Sequence, residues 1–229
     1  MTRLGLAETG FFMVKNEIIQ KVIEHMEAQF SGESTGHDWF HIERVWKNAK
    51  LIAANEKCDL FIVELGALFH DIADHKFVDK FEFEAEKRTR AILSDTGVSE
   101  EVIQQVLHII HNCSFKGGIG ENKMKTIEGL IVQDADRLDA IGAIGVARTF
   151  AFGGKFGNEL YNPDVPPADF KCADEYRKNR THTINHFYEK LLKLKDGMNT
   201  ESAKRIAEQR HSFMQLFLEQ FYAEWNGEK

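Results

Sequence analysis

Only three prolines occur in 229 residues, and two of them are neighbours, Pro166 and Pro167. Proline breaks an α-helix because it lacks a backbone donor and its ring clashes with the preceding turn. So few breakers over this length predict an all-α protein. The apolar pattern points the same way. Phe12, Ile18, Ile19, Val22, Ile23, Met26 and Phe30 recur at helical spacing over residues 9–30. The same reading expects helices over about 38–57, 60–73, 82–95, 99–111, 125–150 (in one or two pieces), 172–194 and 200–226. Residues 74–81, 112–124 and 153–171 read as irregular segments. Gly153-Gly154-Lys155-Phe156-Gly157 fits no dinucleotide or phosphate-loop pattern and reads as a turn. In the last helix Ile206, Phe213, Met214, Phe217, Phe221 and Trp225 form a stripe that reads as core packing.

Composition narrows the function classes. A net charge of −7 makes the chain a poor non-specific binder of nucleic acid, and no nucleic-acid partner is expected. Three scattered cysteines, Cys58, Cys113 and Cys172, with no CxxC, argue against a disulfide framework and for a reducing compartment. The N-terminal stretch is charged and lacks the apolar core of a secretion signal. No 18-residue apolar run is present, so no membrane partner is expected and the protein reads as cytoplasmic. With no repeat and no linker, the chain reads as a single domain over 1–229.

The chemistry centres on Leu65-Gly66-Ala67-Leu68-Phe69-His70-Asp71-Ile72-Ala73-Asp74. A carboxylate beside such an apolar run needs a partner, and a metal ion is a good one. Further candidate ligands lie in three other places: His37 and His41, His108 and His111, and the acidic group Asp134, Asp136 and Asp139. Adjacent residues on a helix lie about 100° apart and can straddle one ion, and i, i+3 pairs share a face. Mixed His and Asp ligation suits several divalent ions. Each group also has a plain structural alternative: a hydrogen-bonded core histidine, or an acidic helix start.

Taken in order, His41, His70-Asp71 and Asp136 resemble the H…HD…D signature of the HD-domain metal-dependent phosphohydrolase superfamily. His41-Ile42-Glu43-Arg44-Val45 resembles its first-histidine motif, Leu68-Phe69-His70-Asp71-Ile72 its central motif, and Asp134-Ala135-Asp136-Arg137-Leu138 its terminal one. Gly36 to His41, Gln133 to Phe150 and His186 to Leu192 are similar to a small single-domain bacterial branch that includes manganese-dependent nucleoside triphosphate pyrophosphohydrolases.

The resemblance implies a helical bundle, with an HD core over about 37–140 and C-terminal helices over about 172–226 packing on it. It implies His41, His70, Asp71 and Asp136 as metal ligands. Manganese is the expected ion, with Mg, Co, Ni, Fe or Zn as alternatives. Asp74 matches the position of a catalytic Glu in HDxxE branches and is expected to orient or deprotonate the attacking water. His37, one turn ahead of His41, and His111, beside the 112–124 segment, are further catalytic candidates. Lys76, Lys116, Arg148 and Lys190 are candidate phosphate contacts, with Arg44 and His75 beside them. Asp139 is a candidate support for a His or Arg, and Asp79 for a polar partner. The expected reaction splits a (d)NTP into (d)NMP and pyrophosphate. The alternatives are a nucleotidase or cyclic-nucleotide phosphodiesterase with the same site, or a non-catalytic nucleotide-sensing HD module. The expected partner is a nucleotide, and a homodimer is left open.

Overall fold

The computed structural model describes residues 3–32, 38–72, 81–113, 122–168 and 181–229, with side chains described from residue 14 onward, apart from 81 and 82. His37, Asp74, His75, Lys76, Asp79, Lys116 and Cys172 lie outside the described residues. Among the described residues the regular elements are all helical. They are α1 (Arg3–Phe30), α2 (Trp39–Ala53), α3 (Leu60–Phe69), α4 (Phe81–Ser94), α5 (Glu100–Cys113), α6 (Ile127–Asp139), α7 (Gly142–Phe156), α8 (Asn185–Glu189), a 3₁₀ segment (Leu191–Gly197) and α9 (Glu201–Trp225). The all-α expectation from proline scarcity and helical periodicity holds.

Contacts divide the chain into two compact units, Met1–Ser114 with Met124–Val132, and Phe115–Lys123 with Gln133–Lys229. In the first unit α3 packs against α1, α2 and α5, while α4 packs on α5. Every residue of α3 from Phe61 to Phe69 is buried. Its apolar side chains join Val22 and Met26 of α1, Ile42 of α2, Leu93 of α4, and Val106 and Ile110 of α5 in one core. Gly66 makes this packing close, because a Cβ there would lie 2.8 Å from Ile109 Cδ1 and 3.3 Å from Val132 Cγ2.

Local sequence sets the helix ends. Asp38 caps α2 by accepting from the His41 backbone N–H at 2.8 Å, and Asp59 caps α3 by accepting from that of Phe61 at 2.9 Å. The helix expected over 60–73 stops at Phe69, because the Ile72 N–H turns back to the Phe69 carbonyl at 3.0 Å in a tighter, 3₁₀-like bond.

In the second unit α9 packs on α7 and on the 3₁₀ segment. Phe150 of α7 meets Phe187, Phe217 and Phe221 with ring centroids 5.8–6.5 Å apart, and Tyr161 packs edge-on against Phe221, Tyr222 and Trp225. Part of the expected α9 stripe is therefore core, whereas Phe213 and Trp225 remain exposed. Two boundaries correct the sequence reading. The Gly153–Gly157 segment is the end of α7 rather than a free turn, with Gly157 at φ 71° as its left-handed cap. The long helix expected over 172–194 is, among the described residues, the five-residue α8 followed by the 3₁₀ segment.

Candidate metal centre

Helices α2 and α3 carry the site. His41 stands in the first turn of α2, where the Asp38 cap fixes the backbone, and His70 closes the C-terminal end of α3. Both imidazoles are buried. Their Nε2 atoms approach to 3.3 Å, and Asp71 Oδ2 lies 3.4 Å from the His41 Nε2 and 3.5 Å from the His70 Nε2. Among the described residues this is the group of histidine, cysteine or acidic side chains whose donor atoms converge.

The tautomer of His70 can be assigned from its neighbour. Its Nδ1 lies 2.8 Å from the carbonyl oxygen of Ala67, one helical turn earlier. A carbonyl only accepts, so Nδ1 carries a proton, which makes Nε2 the nitrogen that the neutral ring would offer to an ion. A backbone carbonyl holding the far nitrogen is the usual support of a metal-bound imidazole. The spacing also fits one ion. Donors bonded at about 2.1 Å lie about 3.0–3.4 Å apart for angles between octahedral and tetrahedral. Two neutral nitrogens and one carboxylate oxygen therefore make a suitable partial shell for a divalent cation.

The remaining candidates are placed as follows. Asp136 lies half-buried on α6. Its acidic neighbours have structural partners. Asp134 is fully buried and accepts from the backbone N–H groups of Asn199 and Thr200, each at 2.8 Å. Burial pushes its carboxyl pKa up, and the bonds from Asn199 and Thr200 pull against that. Asp139, also buried, forms an ion pair with Arg148. His111 is on α5, and its Nε2 is buried with no hydrogen-bond partner among the described residues. His108 is one turn earlier, with Nδ1 3.5 Å from the Asn112 amide. Lys190 follows α8 and is half-buried.

One group escaped the sequence reading. Glu64 is the lone charged residue of α3, yet it is buried. It accepts from Trp46 Nε1 at 3.1 Å and lies 3.4 Å from Lys50 Nζ, both partners on α2. A single acid inside an apolar helix is the signal that would have found it.

A His-His-Asp cluster with both imidazoles buried, on an all-helical scaffold, suits a metal-dependent hydrolase, and the comparisons agree. The HD domain family matches residues 39–141. The chain is 42% identical over 197 residues to YpgQ of Bacillus subtilis, covering 85% of this chain and 87% of that protein. It superposes on the crystal structure of an HD-superfamily hydrolase from Bacillus thuringiensis with a TM-score of 0.75, 44% identity, and coverage of 93% of this chain and 98% of that one. The crystal structure of YpgQ in complex with ADP superposes with a TM-score of 0.72, 36% identity, and coverage of 92% and 96%. The chain belongs to the HD-domain phosphohydrolase superfamily and is a metal-dependent phosphohydrolase.

Proposed function

We propose that this phosphohydrolase acts on nucleotides, splitting a (d)NTP into (d)NMP and pyrophosphate, with manganese as its preferred ion. The observation that carries the reading is the convergence of His41 Nε2, His70 Nε2 and Asp71 Oδ2 within 3.3–3.5 Å of one another. A relative that covers most of this chain holds ADP, which supports a nucleotide as the bound molecule. That relatives align over 85–93% of the chain supports reading 1–229 as one HD-type domain, C-terminal helices included.

In this reading Asp136 completes the ligand set, so that Asp71 and Asp136 together balance the charge of a divalent ion. Such an ion lowers the pKa of a coordinated water and neutralises charge on a phosphate oxygen. The protein's own residues do the rest. The Ala67 carbonyl keeps the His70 proton on Nδ1, away from the reacting centre. Asp74 orients or deprotonates the attacking water. His37 and His111 serve as further catalytic groups, and the His111 Nε2, buried with no hydrogen-bond partner among the described residues, leaves a hydrogen bond to be made. Lys76, Lys116, Arg148 and Lys190 neutralise the polyphosphate of the substrate, which an acidic chain otherwise repels.

The test is a panel of dNTPs, NTPs, NMPs and cyclic nucleotides with Mn, Mg, Co and Ni, with phosphate and pyrophosphate resolved as products. Pyrophosphate release from triphosphates, fastest with Mn, is expected. Release of phosphate alone would sink the proposed reaction. Asp71→Ala is expected to lose both metal binding and turnover, and full activity in that variant would remove the proposal.

A further inference from the structure

Two histidines on separate helices can share an ion only if those helices keep their register. His41 begins α2 and His70 ends α3, so the two donors meet at the same end of this helix pair. The Nε2 separation is 3.3 Å. A slip of one helix along the other would displace one donor from its partner. Apolar contact is non-directional, so burial alone does not single out one register.

Directional contacts between α2 and α3 do occur at Glu64. Its carboxylate accepts from Trp46 Nε1 at 3.1 Å and pairs with Lys50 Nζ at 3.4 Å. The Lys50 ammonium also sits over the Trp46 ring, 4.5 Å from its centroid. Trp46 and Lys50 are one turn apart on α2, so Glu64 is gripped by two successive turns of its neighbour. The surroundings on α3, Phe61, Ile62, Val63 and Leu65, are apolar and buried. Burying a carboxylate there forfeits its hydration, and an ion pair recovers that loss incompletely. An apolar side chain would serve the core at least as well. What a carboxylate adds is direction, and a fixed register is the best-attested use of a buried polar contact.

The spacing connects this contact to the ligands. Trp46 is five residues after His41, and Glu64 is six before His70, so the contact lies about 8–9 Å along the helices from the two donors. Over so short a length a helix is stiff, so a shift at Glu64 is carried toward the two imidazoles.

We infer that Glu64 is a positioning residue for the metal centre: through Trp46 and Lys50 it sets the register of α2 against α3 and thereby the separation of His41 and His70. The inference rests on the metal site proposed above, and it adds a residue that touches neither ion nor substrate.

The test measures the ion directly. Mn(II) affinity is read by electron paramagnetic resonance, and ligand geometry by the visible spectrum of the Co(II)-loaded protein. Folding is followed by circular dichroism and thermal unfolding. Glu64→Leu keeps the bulk without the acceptor, Glu64→Gln keeps an acceptor for Trp46, and Trp46→Phe removes the donor while keeping a ring. The expected result is a folded Glu64→Leu protein with Mn(II) affinity reduced about ten-fold and an altered Co(II) spectrum. Glu64→Gln should restore affinity to near wild type. Trp46→Phe should move both readouts as Glu64→Leu does, and it decides the matter if Glu64→Leu fails to fold. Wild-type affinity and spectrum in folded Glu64→Leu, or in Trp46→Phe when Glu64→Leu does not fold, would overturn the inference. So would a Glu64→Gln protein as weak as Glu64→Leu. His70→Ala separates the two levels. If it binds Mn(II) like wild type, the metal site itself is wrong. If it loses the ion while the Glu64 variants keep it, the positioning role alone fails.

Discussion

His186 shows how one side chain can carry a pH dependence. Burial, aided by the positive charge of Lys190, lowers its pKa to about 4 from 6.5. The imidazole therefore stays neutral in the fold at a pH where the unfolded chain would already protonate it. Its contribution to stability is full above about pH 6.5 and is lost as the pH falls toward 4, amounting to up to about 3 kcal/mol. Urea unfolding at pH 7 and pH 4.5 should show this loss in wild type and a shallower one in His186→Gln. Parallel profiles for the two proteins would refute the assignment. At the same scale, the sequence marked His41, His70 and Asp71 as candidate ligands by their motifs, and the fold brings their donor atoms together. It did not distinguish Asp134 from Asp136 by chemistry, since the hydrogen bonds that occupy Asp134 come from residues 199 and 200. Partners that far along the chain leave no local pattern.

Among the elements, α9 depends on a connection that its own sequence does not reveal. Asp134 Oδ1 accepts from the backbone and side-chain nitrogens of Asn199, and Oδ2 from the backbone and hydroxyl of Thr200, all at 2.8 Å. The Thr200 hydroxyl in turn accepts from the Ala203 N–H at 3.2 Å as the cap of α9. Asp134→Ala strips an acceptor from two backbone N–H groups and unseats the cap, at a cost of about 3 kcal/mol. Hydrogen exchange should speed up at Asn199, Thr200 and Ala203 before it does at the centre of α9. Uniform protection across the helix would contradict this anchoring role. Element boundaries were otherwise legible where capping residues speak, as at Asp38 and Thr200. They were illegible where glycine serves packing. Gly153 lies inside α7, and a Cβ there would come within 2.3 Å of Thr183 Oγ1, so a residue that reads as a breaker is required by its neighbour.

For the molecule as a whole, helix content was legible because it follows from periodicity and from proline, both local properties. A metal requirement is a different matter, since it couples folding to ligand concentration. His41 and the adjacent pair His70-Asp71 lie 29 residues apart and are brought together only by the fold. An ion that binds this state and not the unfolded one stabilises it by RT ln(1 + [L]/Kd), about 2.7 kcal/mol at a hundred-fold excess over Kd. Manganese should therefore raise the unfolding temperature of the wild-type protein, and a chelator should return it to the metal-free value. Asp71→Ala should start near that metal-free value and respond to neither. If Asp71→Ala gained as much from manganese as wild type does, the ion would have to be held by other side chains, and the cluster at the ends of α2 and α3 would be a packing feature of the core.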